Sequence, residues 1–392
     1  MIALGLALPA TEPATLARPV IVAPAPREIS FGVVRGRVSE GTVRIVVKVG
    51  QTTAADVPLS ETHFRFELSL PPRDLAIHVT AFDASGNSAT STVTPVFGLP
   101  KTGYPAAIIS TLDTYLSGQI RSLVRAFPGT AAVFVQDLRT GRGAAWNARA
   151  RFQGASTLKL GIAIEVLRVL GHRPAPGTYL AGRFWRMLVY SDNKAANDLM
   201  AWLGGGSVDA GSFRVNATLE ALRLRDTHMR GGYVLGTATT RPIPLRVESQ
   251  PPYFPGWKHS SAWDLARIHR FVHRAAAGQG PLLRLAGHFS PADARYMLWV
   301  LAHVADPGKI DRYIGTRPDV AVLHKGGWIL HARHDTALVF WRDGAFVITV
   351  MTWNGVQAGS SSDILAGRIA RIALRLFENA PPPSARAWRL PA

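Results

Sequence analysis

Phe152-Gln-Gly-Ala-Ser-Thr-Leu-Lys-Leu-Gly-Ile-Ala-Ile-Glu-Val-Leu-Arg-Val-Leu170 places a serine and a lysine one turn apart in a segment with almost no polar face. After Lys159 its only strongly polar side chains are Glu165 and Arg168, and Gly171 with Pro174 ends the helical pattern. At about 100° per residue Glu165 and Arg168 share one side of the helix, and Lys159 points away from it into the interior. A helix apolar nearly all round is central in its domain. A desolvated ammonium loses its preference for the charged state, so Lys159 is suited to act as a base. Ser156 lies on the same face, among the unpaired N–H groups of a helix start, which favour developing negative charge. The stretch therefore reads as a nucleophile beside its base.

Two further motifs follow in order. Ser191-Asp192-Asn193 comes after the apolar segment Phe184 to Tyr190, and Lys325-Gly326-Gly327 sits between strand-like runs, Val320 to Leu323 and Trp328 to Leu330. Taken singly, the first reads as a turn or helix cap and the second as a turn. The ordered set S-x-x-K, S-D-N and K-G-G resembles the signature of the class A β-lactamases and penicillin-binding proteins, in which the third member is usually K-T-G. The resemblance covers residues 105 to 380.

That resemblance implies an acyl-enzyme mechanism without a cofactor or metal. Ser156 attacks a carbonyl while Lys159 takes its proton. The backbone N–H groups of Ser156 and Trp328 form the oxyanion hole. Ser191 relays a proton to the leaving nitrogen, and Lys325 holds Ser191 and attracts a substrate carboxylate. Asn193 bonds a substrate amide and helps orient Lys159, and Gly327 lines the substrate site. The departures are specific. The family's Glu-x-x-Leu-Asn pattern for deacylation is absent, which leaves Glu248 as the candidate base, with Pro251 and Pro252 where Leu-Asn would be. Gly326 replaces the K-T-G threonine and loses a hydroxyl near the substrate carboxylate, and the spacing of the motifs requires a rebuilt helical subdomain.

The chain has 392 residues, 47% of them hydrophobic, and no cysteine, which excludes disulfides, thiolate chemistry and cysteine-based zinc sites. Of the 44 basic residues seven are lysine, and the arginines are dispersed. A dispersed net charge of +18 suits attraction to a polyanionic surface such as an anionic cell wall, and argues against nucleic-acid binding. No apolar run reaches the roughly 20 residues of a transmembrane helix. Residues 1–26 read as a tail or the remnant of a signal peptide without its basic leader, which points to a secreted or cell-envelope protein. His269 with His273, and His331 with His334, read as packing or surface histidines.

Residues 27–98 alternate with period two, as in Val43, Ile45, Val47 and in Ile77, Val79, Ala81. They predict short antiparallel strands in a small all-β sandwich. This segment, with Ala81-Phe-Asp-Ala-Ser-Gly-Asn87, resembles bacterial immunoglobulin-like (Ig-like) modules. Residues 99–105 read as a linker. Residues 106–380 predict an α+β domain of the β-lactamase/transpeptidase type, an antiparallel sheet flanked by helices with a helical subdomain inserted. Its first helix carries Ile108 to Phe127, and Arg241 to His259 is a long functional loop. Residues 381–392 read as a loose tail. The overall expectation is a multidomain serine hydrolase that opens β-lactam rings, a basis for antibiotic resistance or β-lactam catabolism. The alternatives are a cell-wall D,D-peptidase, transpeptidase or esterase acting on a peptidoglycan-like peptide, or a non-enzymatic envelope binding protein.

Overall fold

The computed structural model describes residues 16–235, 258–354 and 357–379. The chain divides into two compact units. Among the described residues, one holds residues 16–26 together with Gly32–Leu68 and Asp74–Val96, and the other holds Arg27–Phe31, Ser69–Arg73 and the described chain from Phe97.

The strands of the amino-terminal region are β1 (Val20–Ala23), β2 (Glu28–Ser30), β3 (Val33–Arg37), β4 (Thr42–Val49), β5 (Thr52–Pro58), β6 (His63–Glu67), β7 (Asp74–Asp83) and β8 (Ser88–Gly98). Within the first unit one sheet runs β1-β3-β6 and the other β8-β7-β4-β5. Period-two alternation has its expected effect here, since Ile45 stands opposite Ala81 and Val47 opposite Val79, all fully buried. β5 lacks such alternation because it is an edge strand whose side chains are largely exposed. Two expectations change. Strand structure already begins at Val20, inside the stretch read as a tail. The stretch read as a linker contains a 3-10 turn, Lys101–Gly103, and starts from Leu99, which is fully buried in the core of the second unit.

The second unit is built on a six-stranded sheet from both ends of its sequence. Its first elements are β9 (Thr111–Leu112), α1 (Thr114–Arg125), β10 (Thr130–Asp137), β11 (Arg142–Trp146) and β12 (Arg151–Gln153). The helices α2 (Lys159–Leu170), α3 (Tyr179–Val189), α4 (Asn193–Leu203) and α5 (Val208–Ala221) follow, then β13 (His259–Ser261), α6 (Ala262–Ala276) and α7 (Pro291–Leu301). The last elements are β14 (Ala321–Ile329), β15 (Ala332–Trp341), β16 (Gly344–Trp353) and α8 (Ser360–Glu378). Strand order is β14-β15-β16-β10-β11-β9, so the late strand β16 pairs antiparallel with the early strand β10, with Val133 opposite Val350. One face of the sheet is covered by apolar residues of α1 and α8, such as Ile120 and Phe377, and the other by the cluster containing α2, α6 and α7. This is the expected α+β architecture.

α2 is the buried centre. Leu160 through Leu167 are all buried, and Gly161 lets the helix approach α5: a Cβ there would lie 3.3 Å from both Val215 and Leu219. Gly171, at φ 74°, ends the helix as a left-handed cap. The reading of Glu165 and Arg168 as a polar face needs correction. Glu165 is fully buried, and its carboxylate is satisfied by Arg168 at 2.7 Å and by the Thr218 hydroxyl at 2.6 Å. The first helix is shorter than predicted because Asp113 caps it, accepting from the Leu116 N–H, and residues 111–112 go into the sheet. α7 was not anticipated, although Ser290-Pro-Ala-Asp293 forms a capping box at its start.

Candidate active site

Ser156 does not lie in α2 itself. It sits in a 3-10 turn, Ala155–Leu158, that leads into the helix, and Lys159 is the first residue of α2. The turn is pinned from behind. Buried His334 donates from Nε2 to the Gln153 carbonyl at 2.7 Å and accepts the Thr352 N–H at Nδ1, which ties β15 and β16 to the chain just before the nucleophile. Burial holds this imidazole well below its ordinary pKa, at about 4, so it serves as a neutral brace. Ala155 has φ 47° and Ser191 has φ 57°, a left-handed backbone that non-glycine residues seldom adopt. Two such residues, one beside Ser156 and one in the Ser-Asp-Asn motif, mark the site independently of its side chains.

Lys159 Nζ lies 3.0 Å from Ser156 Oγ and 2.7 Å from Asn193 Oδ1, and it also donates to the Ser191 carbonyl. The ammonium side chain is fully buried. Desolvation, helped by the charge of Lys325 and opposed by Asp192, brings its pKa down to about 6. Near neutral pH Lys159 is therefore an amine with two N–H donors and one lone pair. Asn193 Oδ1 and the Ser191 carbonyl carry no hydrogen and take the two donors. The lone pair is left for the Ser156 hydroxyl.

Ser191 stands between the two lysines, its Oγ 2.9 Å from Lys325 Nζ and 3.4 Å from Lys159 Nζ. Burial lowers the pKa of Lys325 to about 8, with Asp306 and Asp335 holding it up. Asp192 caps α4 by accepting the Ala195 N–H at 3.0 Å, and Arg186 pairs with it at 2.7 Å. Ser-Asp-Asn is thus a helix cap in this structure, and the cap at Asp192 fixes the residues on either side of it. Asn193 Nδ2 donates to the Val234 carbonyl at 3.0 Å.

Lys325-Gly326-Gly327 is not a turn between two strands. All three residues lie inside β14, in register with Thr336, Asp335 and His334 of β15. Strand structure suits the site because Gly327 can lie against the nucleophile turn: a Cβ on it would come within 2.8 Å of the backbone nitrogens of both Ser156 and Thr157. Trp328 follows on the strand and is 64% exposed.

The structure brings together Ser156, Lys159, Ser191, Asn193, Lys325 and Gly327. Glu248 lies outside the described residues, as do residues 241–257 of the loop, while His259 belongs to β13, which pairs with β12. Sequence reading missed Tyr233. Its ring centre is 4.6 Å from Lys159 Nζ and 5.1 Å from Lys258 Nζ, and its hydroxyl donates to the Ala155 carbonyl at 3.3 Å. Asn197 fixes this residue by exchanging two hydrogen bonds with its backbone. Burial pushes the Tyr233 phenol well above its usual pKa, so it stays a donor. Among the described residues no group of three or more histidine or carboxylate side chains is placed to hold a metal, and His273 donates instead to the Gly103 carbonyl.

A serine, a desolvated lysine and a second lysine bridged by a serine, set between a sheet and a helical subdomain, define a serine hydrolase of the β-lactamase type. The sequence profile of the beta-lactamase enzyme family matches residues 115–174 and 183–377, and the chain belongs to that family. Among solved structures it resembles PBP-A, at 20% identity and TM-score 0.54 over 69% of this chain and 99% of that one. A variant of PBP-A solved as its acyl-enzyme with penicillin G matches at 21% identity and TM-score 0.52 over the same shares. A β-lactamase from Sphaerobacter thermophilus matches at 21% identity and TM-score 0.51, over 69% of this chain and all of that one. These likenesses establish the shared fold. Curated protein sequences yield no match.

Proposed function

We propose that the protein opens β-lactam rings through an ester on Ser156, and the observation that carries this is the bonding of Lys159. Its nitrogen lies 3.0 Å from the Ser156 hydroxyl and is bonded to two acceptors that carry no hydrogen, the Ser191 carbonyl and Asn193 Oδ1, so in the neutral amine the lone pair is available to Ser156. Ser156 Oγ attacks the lactam carbonyl carbon, an O–C bond forms, and the hydroxyl proton passes to Lys159. The negative oxygen is held by the N–H groups of Ser156 and Trp328. Collapse breaks the C–N bond, and the ring nitrogen takes a proton from Ser191, which is replenished from the lysines on either side of it. Water then cleaves the ester, regenerating Ser156 and releasing the opened acid. Lys325 and Gly327 line the place where the substrate lies.

A second reading is favoured by Tyr233. Its ring covers Lys159, and among the described residues no carboxylate bonds to Ser156 or Lys159. An ester shielded from water by such a ring lasts long enough for an amine to compete with water, as in a cell-wall D,D-peptidase or transpeptidase. In either case the amino-terminal strands serve as an Ig-like spacer, and with the basic surface charge they suit a secreted or envelope-associated enzyme at an anionic wall.

The test is hydrolysis of a chromogenic cephalosporin and labelling by penicillin G, followed by intact-protein mass spectrometry, for the protein and for Ser156→Ala. A fold neighbour captured as a penicillin G ester makes that probe a suitable choice. Sustained turnover lost in the variant supports the β-lactamase reading. A stoichiometric, long-lived adduct supports the peptidase reading. Absence of both adduct and turnover removes Ser156 as the nucleophile for these substrates.

A further inference from the structure

Arg267, Arg270 and Arg274 follow one another along one side of α6, and they are not equally provided for. Arg267 bonds Asp264 and the carbonyls of Leu222 and Arg223. Among the described residues the guanidinium groups of Arg270 and Arg274 make no hydrogen bond and no ion pair. Arg270 is half-buried, and burial with the charges of Arg274 and Arg267 lowers its pKa to about 10. Unlike the ring nitrogens of His269, its guanidinium nitrogens are not sealed from solvent. Arg270, His273 and Arg274 line a cavity of about 130 Å³ between α6 and the chain from Pro105 to Ile108, with Leu138 also on its wall. The stretch facing α6 is held in place. Its Gly103 carbonyl accepts from His273 Nε2 at 2.7 Å, the Tyr104 hydroxyl donates to the Ala277 carbonyl at 3.2 Å, and the Ser110 hydroxyl accepts from Gln136 at 2.8 Å.

Two cations without a counter-ion on the wall of one preformed cavity are complementary to an anion, and a guanidinium matches a carboxylate through two parallel N–H donors. The remaining wall at Pro105, Ile108 and Leu138 is apolar, and the volume is close to the roughly 150 Å³ that admits benzene. A short hydrocarbon body therefore fits behind the charged group. We infer that the cavity between α6 and residues 105–108 binds a small organic carboxylate through Arg270 and Arg274. Neither arginine bonds Ser156, Lys159, Ser191 or Lys325, so binding here is independent of the chemistry assigned to those residues.

The probe is butyrate, titrated calorimetrically into the full chain at neutral pH and fixed ionic strength, with inorganic phosphate titrated in parallel. Butyrate should bind once per chain with a Kd on the order of 1 mM, and about a tenfold excess over that Kd should raise the melting temperature by about 3 °C. Arg270→Met should weaken binding about tenfold, and its melting curve reports whether it is folded. Arg274→Gln, at an exposed position, should weaken binding about threefold and carries the test if Arg270→Met does not fold. Arg121→Gln, exposed on α1, should leave the affinity unchanged, which separates a built site from general attraction to a basic surface. Absence of saturable binding, affinity that the folded variants at Arg270 and Arg274 leave unchanged, or equal weakening by Arg121→Gln overturns the inference. Phosphate bound as tightly as butyrate overturns the carboxylate class, because the apolar wall would then contribute nothing.

Discussion

Lys159 Nζ lies 4.6 Å from the centre of the Tyr233 ring, and the hydroxyl of that ring bonds the carbonyl of Ala155, the residue before the nucleophile. One side chain thus covers the base and braces the turn. An aromatic face over a cation contributes about 0.5–2 kcal/mol toward the charged form. The drop in the Lys159 pKa to about 6, caused first by desolvation, is the larger effect. The main consequence of the ring is that it keeps water away.

Tyr233→Ala should therefore admit water to Lys159 and raise its pKa. Acylation at pH 7 should fall about tenfold, and the acidic limb of the pH profile should move upward. Tyr233→Phe keeps the ring and should keep the limb in place. Measuring both profiles separates shielding from the hydroxyl contact. An unmoved limb in Tyr233→Ala would show that other groups desolvate the lysine.

The pH dependence has a definite sign. Lys159 acts as a base when neutral, so acylation rises as pH passes its lowered pKa of about 6. Lys325 acts when charged, so acylation falls as pH passes about 8. The two lysines are coupled through Ser191, and the limbs belong to the pair. Acylation rates between pH 5 and 9 should give a bell with its maximum near pH 7, and a monotonic rise through pH 9 would contradict these assignments.

Gly327→Ala places a methyl group within 2.8 Å of two backbone nitrogens of the nucleophile turn. Because β14 and the turn must separate to accommodate it, the donors facing the substrate oxygen lose their alignment. Acylation should drop by roughly two orders of magnitude. Circular dichroism should show an intact fold, so that loss of structure can be told apart from loss of the oxyanion site.

Glu165→Ala tests the buried carboxylate behind the site. It would leave Thr218 without its acceptor and Arg168 with the Ala286 carbonyl but no carboxylate, at a cost of about 3 kcal/mol. Chemical denaturation should show this loss. A change below about 0.5 kcal/mol would mean that water or neighbouring groups replace the carboxylate.

The candidate site was legible in the sequence because the residues of each motif lie close together along the chain. Ser156 and Lys159 share one turn, Asp192 caps the helix that Asn193 begins, and an apolar helix containing a lysine is unusual enough to be noticed. Tyr233 was not legible, since a distant partner, Asn197, fixes its backbone at the site. Glu165 was misread for a related reason. Helical periodicity gives a side chain's direction, and its surroundings are set by α5, which supplies Thr218. Taken singly the K-G-G motif reads as a turn, because two glycines usually mean one. Here they permit close approach within a strand.

The pairing of β16 with β10 joins the last third of the chain to the segment just ahead of Ser156, and Lys325 reaches Ser191 across a sequence separation of 134 residues. No fragment short of the closed sheet possesses both lysines in place. The first acylation of Ser156 by a labelled donor, read as a burst before hydrolysis, would therefore count correctly assembled molecules, one acyl group for each. Such titration would distinguish native protein from misassembled protein in a preparation where total concentration and helix content look the same.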